Sequence, residues 1–521
     1  MRSFRYIFLF FLTTSTAIWA QLPSYELQWG SPYRYREVYT QDILDMDSTS
    51  FYTVGSHYAI LSTNRWFFAK YDRASARQMW QSEMDQIIYK GDRTELISTH
   101  IVEGEFYIFL QAYNRQSDEK ILLLQILDAN GDPKELKVVE KLEANRKYKG
   151  SFKISFSQDQ RTFMIFSNPD YSIRDNEKFS VSVYNIDLTL KWAKDIELDV
   201  LDRYFSLYRS DVTNHGDVFF MGKKTPERNK GERWVWGQSN EEFMAYRMSG
   251  SSDEVVQMDL GLQNVFVTNM GMELDFGHNT MAIAGFYSEQ GFNRASMKGM
   301  FYITLDQASA NVTSTHLSPF SAAFLDEFMS TGRAQRGAEI REDFVFRQFL
   351  HRPDGGAFVV AEDYEMQVVT TQTRNGQVTN YYYYYNDIIA FGISDTGEIE
   401  WSGHVPKRQF SKNDGGRASG YLPVVDGKQL HLIFNDHRAN TKKFGVRRPN
   451  IMRNANTSQV VAVTITAEAE MLYTPLYMNA KEKVLTLPKR SASNERIQGE
   501  AVLYSFRKNK VQFGSLLRQH P

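Results

Sequence analysis

The feature that most constrains this chain is a degraded repeat whose clearest copy runs from Asp387 to Asn440 (DIIAFGISDTGEIEWSGHVPKRQFSKNDGGRASGYLPVVDGKQLHLIFNDHRAN). Ile388 to Ile393 is nearly continuous apolar sequence, which suits a strand buried on both faces. Asp395 and Gly397 supply turn chemistry: a side chain that bonds its own turn, and a residue that tolerates positive φ. Ile399 and Trp401 lie two apart and so share one face of the return strand. A third strand follows, then a fourth at Gln429 to Phe434. A lone unit of this kind cannot cover both of its faces; stacked on copies of itself, it can.

The pattern recurs along the chain. A first unit runs through Ile43 to Asp47, Phe51 to Leu61, Trp66 to Asp72 and a strand with Trp80. A second has Phe106 to Tyr113, Ile121 to Asp128 and Leu136 to Leu142; a third has Thr162 to Ser167, Phe179 to Asp187 and a strand with Trp192. The fourth has Asp217 to Gly222, Phe243 to Met248 and Val255 to Leu260, and the fifth Met281 to Tyr287, Met300 to Asp306 and Val312 to His316. The sixth has Gly356 to Thr371, Tyr381 to Ser394 and Ile399 to Val405, and the seventh Gln429 to Asn435, Val460 to Thr466 and Met471 to Tyr477.

Three strand-like runs are left at the C-terminus, Lys483 to Pro488, Ala501 to Phe506 and Val511 to Leu517, and one orphan at the N-terminus, Pro32 to Thr40. Joining them closes a ring and removes the exposed edges of a linear array. The expected fold is therefore all-β, a β-propeller of eight four-stranded blades closed by both termini. Seven blades is the alternative, with the C-terminal runs as a cap. The 42% hydrophobic and 14% aromatic content supplies a substantial core, and long patterns of helical period are nearly absent.

Three insertions interrupt the pattern, at about 318–340, 366–385 and 438–453. Ser318 to Met329 carries an N-cap Ser, Pro at the first helical position, and Phe320, Phe324 and Phe328 on one face, which predicts a short amphipathic helix. Met366 to Tyr385 predicts a long hairpin turning at Asn375-Gly376. Arg438 to Arg453 is a basic loop in the seventh unit.

Met1 to Ala20 reads as a secretory signal peptide, with Arg2 and Arg5 before an apolar run from Ile7 to Leu12 and cleavage before Gln21 or after Ala17. The run is too short for a membrane anchor, and no later segment is long and apolar enough for a transmembrane helix. The chain is thus expected to be exported, periplasmic or at the cell surface. It has no Cys, which excludes disulfides, thiolate metal sites, a Cys nucleophile and a lipidated N-terminal Cys. The formal net charge of −2, about −4 after loss of Arg2 and Arg5, argues against a nucleic-acid partner.

The segments YDRASARQMW (Tyr71 to Trp80), YNIDLTLKW (Tyr184 to Trp192) and ISDTGEIEW (Ile393 to Trp401) resemble the quinoprotein-type (PQQ-like) propeller repeat, in which an Asp-containing turn with Gly precedes a Trp that plugs between blades. The Gly is present in one of the three. The resemblance implies an eight-bladed ring, with Trp80, Trp192 and Trp401 buried between blades, in a family that holds both quinone-dependent dehydrogenases and non-catalytic scaffolds. Dehydrogenases of this type often carry a vicinal disulfide at the cofactor; a chain without Cys departs from that pattern, so no cofactor is carried over.

The chemistry-bearing candidates are few. Asp128-x-Asn130-x-Asp132 opens like a calcium loop, but Pro133 stands where that loop needs Gly and Val139 where it needs Glu, so a hairpin turn is expected and no metal site. HExxH, GxSxG, P-loop and strand-associated GxGxxG patterns are missing. Asp414 and Asp436, with His437, are the only named catalytic candidates, as carboxylates and a polar group at strand ends. Arg438, Lys442, Lys443, Arg447, Arg448 and Arg453 form a basic run suited to an anionic glycan, phosphate or acidic partner, or simply a solvated loop. In Tyr381 to Tyr385, Tyr382 and Tyr384 share a face that either meets a partner or pairs across to Val368 to Thr371. The expected binding residues are Tyr382, Tyr384, Arg438, Arg447 and Arg448. The preferred functional reading is a non-enzymatic scaffold for protein or glycan partners at the cell envelope. The alternative is a secreted hydrolase or lyase acting on polysaccharide, which two enclosed carboxylates in the central funnel would favour.

Overall fold

A computed structural model describes residues 24–34, 40–57, 64–144, 150–169, 174–225, 242–262, 265–275, 279–289, 296–374 and 376–519. The signal segment Met1 to Ala20, the middle of Pro32 to Thr40 and Asn375 lie outside the described residues. Eight antiparallel sheets, each of at least four strands, follow one another along the chain, with a two-stranded hairpin at Ile88–Tyr89 and Asp92–Arg93. Blade 1 is built from Thr40–Met46, Ser50–His57, Arg65–Asp72 and Gln78–Asp85, and blade 2 from Glu95–Val102, Glu105–Asn114, Glu119–Leu127 and Lys137–Glu143. Blade 3 spans Ser151–Phe156 to Leu190–Leu201, blade 4 Phe205–Val212 to Ser252–Met258, and blade 5 Phe266–Asp275 to Val312–Pro319. Blade 6 comprises Phe344–His351, Ala357–Thr373, Gly376–Ile393 and Ile399–Val405; blade 7 comprises Leu422–Asp426, Gln429–Asp436, Gln459–Ile465 and Met471–Met478.

Blade 8 closes the ring. Its strands are Ala492–Ser493, Glu500–Arg507 and Lys510–Gln519, and its outermost strand comes from the other end of the chain, Ser24–Trp29, with Tyr25 opposite Arg518 and Trp29 opposite Gly514. The closure expected of the termini is thus present, shifted in register. The main N-terminal partner is Ser24–Trp29; of Pro32 to Thr40, only Tyr33–Arg34 pairs with the C-terminal strand, and Thr40 already opens blade 1. Lys483 to Pro488 is not a strand: only Thr486 bridges to Ser505, and Pro488 starts a 3-10 turn.

Each pair of neighbouring blades is glued by its own apolar cluster. Phe51 and Tyr71 of blade 1 meet Tyr504 and Phe513 of blade 8, Leu503 and Leu516 of blade 8 meet Ile433 and Val460 of blade 7, and six further clusters bridge the other pairs. Eight sheets with eight interfaces make a closed eight-bladed propeller, so the ring has no uncovered end blade. Among the described residues no helix is long and apolar enough to cross a membrane.

The repeat read from Asp387 to Asn440 crosses a blade boundary. Its first two strands are the outer strands of blade 6; its last two, Leu422–Asp426 and Gln429–Asp436, are the inner strands of blade 7. Trp401 is buried, as expected. Trp80 and Trp192 are only half-buried; each packs from its blade's outermost strand against a turn of the next blade. Trp80 Nε1 donates to Ala129 O at 2.9 Å and Trp192 Nε1 to Gly216 O at 3.0 Å. A Cβ on Gly131 would come within 2.8 Å of the Trp80 ring, so that turn needs its Gly for close approach.

The helical insertion differs from expectation. Pro319 ends a strand rather than starting a helix, the cap is Ser321, whose hydroxyl accepts from Phe324 N at 3.2 Å, and two short helices follow, Ala322–Asp326 and Thr331–Gln335. Phe320, Phe324 and Phe328 still face one core: Phe320 stacks on Phe391 of blade 6, Phe324 meets the same ring tilted, and Phe328 packs on Phe324 and Phe344.

Candidate binding face

In an antiparallel blade the links between strands two and three, and from one blade to the next, emerge at the same end. The helical insertion (blade 5 to 6), the hairpin of blade 6, the link 406–421 (blade 6 to 7), the basic loop of blade 7 and the link 479–491 (blade 7 to 8) therefore share one face of the ring.

The hairpin is an extension of the two central strands of blade 6, paired without break from Tyr364↔Tyr385 to Thr373↔Gly376. Tyr382, Tyr383 and Tyr384 lie opposite Gln367, Met366 and Glu365; only Tyr381 faces the Val368 to Thr371 segment, at Val368. On the other side a short strand from the blade 6 to 7 link, Gln409–Lys412, pairs with Tyr382 to Tyr385. This places Phe410 beside Tyr384 (5.2 Å between ring centres) and Tyr382 (6.2 Å). Lys412 Nζ lies 5.2 Å from the Tyr382 ring, and the Arg453 guanidinium 4.9 Å from the Phe410 ring. Tyr382 and Tyr384 thus share a face, as the alternation requires, in a ladder of rings interleaved with cations.

Beneath the hairpin lies a buried polar network. Lys407 Nζ donates to Glu362 Oε1 at 2.9 Å, Tyr385 O at 3.0 Å and Gln409 Oε1 at 3.1 Å, with its side chain fully enclosed. Arg347 Nε approaches Glu362 from the other side at 3.4 Å. Lys489 Nζ donates to the Tyr385 hydroxyl at 2.6 Å, and burial lowers the Lys489 pKa to about 8.

The basic loop meets the hairpin at its base. Arg447 and Arg448 line a cleft of about 330 Å³ with Arg408, Glu327 and Phe328 of the helical insertion, Glu342, and Asp363, Asn386 and Asp387 of the hairpin's foot. Among the described residues neither arginine forms an ion pair, and both are exposed. Burial, and then the negative charges of Asp387, Glu342 and Asp343, push the Asp363 carboxyl up to about 6 against a hydrogen bond from Asn386. Next to this cleft, His404 is enclosed between Asp387 Oδ2 at 3.2 Å and Glu327 Oε2 at 3.6 Å. Arg438 opens a 3-10 turn at the loop's start and is exposed.

The remaining sequence candidates are held by structural bonds. Asp436 is buried, and its carboxylate accepts from His437 N (2.7 Å), Asn440 Nδ2 (2.8 Å) and the Tyr473 hydroxyl (2.8 Å), anchoring the basic loop; burial raises its pKa. His437 Nδ1 accepts from Ala439 N at 3.3 Å, and Asp414 accepts from Gly416 N at 2.9 Å in an exposed turn. Beyond the His437 amide on Asp436, no hydrogen bond joins the three, and no two of their side chains bond each other. Asp128 accepts from the amides of Asn130 and Asp132, the hairpin-turn arrangement.

The sequence reading missed the central channel. Its charged residues lie on innermost strands, where the channel-facing positions are polar. Arg209 bonds both Asp211, at 2.9 Å, and Glu273. At the channel end opposite the insertions, the turn 493–499 of blade 8 is tied across the axis. Asn494 donates to Met46 O (2.8 Å) in blade 1 and Arg496 to Gln158 O (2.6 Å) in blade 3. Glu495 accepts from His351 N (2.9 Å) in blade 6, and Gln498 from Gly427 N (2.7 Å) in blade 7. Burial raises both Glu273 and Glu495 to about 7, with Asp211 adding to the first and Arg209 opposing it. The only sequence signal for this group was the polar alternation of inner strands such as Phe205–Val212.

No protein-family model matches this chain, and no curated protein matches it either. Among solved structures, the chain is similar to the β-propeller domain of the trilobed protease from Pyrococcus furiosus, at 9% identity and TM-score 0.36, over 82% of this chain and 94% of that one. It is also similar to the WD40 domain of SCAP from fission yeast, at 10% identity and TM-score 0.38, over 94% and 98% of the two chains. A third similar structure is the Pseudomonas aeruginosa periplasmic gluconolactonase, at 12% identity and TM-score 0.34, over 70% and 86%. The eight-bladed assignment rests on the strand pairing described above.

Proposed function

We propose that this chain is an exported, non-enzymatic propeller of quinoprotein-type ancestry that holds a protein or glycan partner of the cell envelope on its insertion face. The observation that supports this reading is convergence. Insertions from consecutive links, none needed to close a blade, bring Arg447 and Arg448 to the foot of the hairpin that carries Tyr382 and Tyr384. Tyr and Arg are the residue types that dominate binding hot spots. Arg438 lies at the start of the same loop and extends the cationic side of the surface. The test is recovery of envelope partners by the mature chain and by two variants, Tyr382→Ser with Tyr384→Ser, and Arg447→Ser with Arg448→Ser. Loss of recovery at unchanged melting temperature is the expected result; full recovery by both variants would sink the proposal.

A second reading, a hydrolase or lyase acting on polysaccharide, is favoured by one observation. Glu273, on the innermost strand of blade 5, and Glu495, in the turn of blade 8, are two carboxylates that burial raises to about 7, the charge of Glu495 adding to the shift of Glu273. Release of reducing ends from envelope glycans that Glu273→Gln abolishes would replace the scaffold reading.

A further inference from the structure

The basic loop of blade 7 walls two clefts, not one. Arg447 and Arg448 line the first, described above; shortly before them in the chain, Phe444 and Gly445 line a second, of about 380 Å³. The two adjoin. Glu327 of the helical insertion lines both, and His404, which lines the second, lies 3.2 Å from Asp387 of the first. They form one groove where the helical insertion, the outer strand of blade 6 and the basic loop meet.

The halves of the groove differ in chemistry. The second offers apolar surface from Phe324, Phe444, Met471, Pro406 and Ala323. Phe324 is seated in the core and Phe444 packs on Tyr473, 4.7 Å between ring centres, so these walls are held in place. The first carries three arginines, Arg408, Arg447 and Arg448, and four carboxylates, Glu327, Glu342, Asp363 and Asp387. Among the described residues none of these arginines is ion-paired with any of these carboxylates; the ion pairs made by the carboxylates are those of Glu327 and Asp387 with His404. Opposite charges thus line one cleft without cancelling each other, and each sign is left to a ligand. Nor, among the described residues, are the acidic groups arranged to hold a metal ion.

That combination selects the occupant. An anionic glycan drawn to the arginines also meets the carboxylates, and a simple cation drawn to the carboxylates also meets the arginines. A ligand carrying both signs satisfies both walls. A sugar chain brings no apolar side chain to the second half. A peptide brings both signs and an apolar side chain within a few residues, each advancing the extended chain by about 3.3 Å. We propose that this groove binds a short peptide segment of the partner, with an apolar residue against Phe324 and Phe444 and a neighbouring pair of oppositely charged side chains against Arg447–Arg448 and Glu342–Asp387. This peptide deepens the reading of the insertion face given above and rests on it: what the face recognises is protein, not sugar.

The test is an array of short random peptides probed with the mature chain and with variants, followed by fluorescence anisotropy on the selected peptides. The wild type is expected to select peptides in which an apolar residue neighbours one acidic and one basic residue. Arg447→Ser with Arg448→Ser is expected to lose the acidic preference alone, and Glu342→Lys the basic preference alone. Ala323→Gln, which fills the second half from an exposed position, is expected to lose the apolar preference alone. Each loss is expected to weaken binding by about tenfold or more at unchanged melting temperature. No selection by the wild type, or preferences that the variants leave unchanged, overturns the inference. Should the loop variant melt early, Ala323→Gln and Glu342→Lys, both at exposed positions, decide alone. Release of a recovered envelope partner by an anionic glycan but not by the selected peptides overturns the peptide and leaves the binding face standing. Selection of such peptides by a chain that recovers no envelope partner keeps the groove and removes that partner instead.

Discussion

Replacing Lys407 with Met tests whether the buried network, rather than the hairpin's own pairing, fixes the insertion face to the ring. The Lys407 ammonium uses all three of its donors, on Glu362, Tyr385 and Gln409, and its side chain is fully enclosed. Met fills most of the same volume, so little of the loss is packing. What remains is a buried Glu362 with Arg347 at 3.4 Å, and a Tyr385 carbonyl oxygen without the Lys407 donor, while Gln409 Oε1 keeps Gly420 N at 2.8 Å. Removing one partner of a buried pair costs about 3–5 kcal/mol. With a urea slope of about 3 kcal/mol/M, the unfolding midpoint falls by roughly 1–1.7 M. The assay is urea unfolding followed by tryptophan fluorescence, for wild type, Lys407→Met, Glu362→Gln and the double variant. The double variant is expected to be more stable than the sum of the single losses by about 0.5–3 kcal/mol, because the second substitution removes the charge that the first left stranded. A Lys407→Met loss under about 1 kcal/mol, or strict additivity, would refute the reasoning.

Deleting Ser24–Arg34 strips the outer strand from blade 8 and uncovers the edge Gly514 to Gln519, so the variant is expected to lose the single cooperative transition; melting like the intact mature chain would show that the termini do not close the ring. Trp401→Ala is expected to cost about 3–5 kcal/mol, and Trp80→Ala and Trp192→Ala less, since those rings are half-buried; equal losses by denaturant titration would contradict this ranking. Glu273 and Glu495 have folded pKa values raised to about 7 from 4.5, so their contribution is fully present below about pH 4.5 and lost as pH rises through 7. Glu273→Gln is therefore expected to flatten the fall in melting temperature across that window, and an unchanged slope in a pH series of melts would count against the channel's enclosure.

The sequence by itself determined the architecture, because it is written in the strands that see no water. Phe106 to Leu110 and Leu430 to Phe434 are buried on both faces, so their apolar runs are continuous and legible. The turns were legible too, since Asp128 and Gly397 act through bonds to near neighbours in the chain. Most innermost strands were not: Phe205–Val212 and Phe266–Asp275 turn one face to the channel, so polar residues break their apolar pattern. The helical insertion was legible in its phenylalanines but not in its cap, because Pro319 suits the end of a strand as well as the start of a helix. Only the tertiary structure could decide the rest. Arg447 shares a cleft with Asp363, Glu495 meets His351, and Tyr25 pairs with Arg518, across separations of up to hundreds of residues, because ring closure brings neighbouring blades together. Such contacts depend on where whole blades land, which no local pattern of residues encodes.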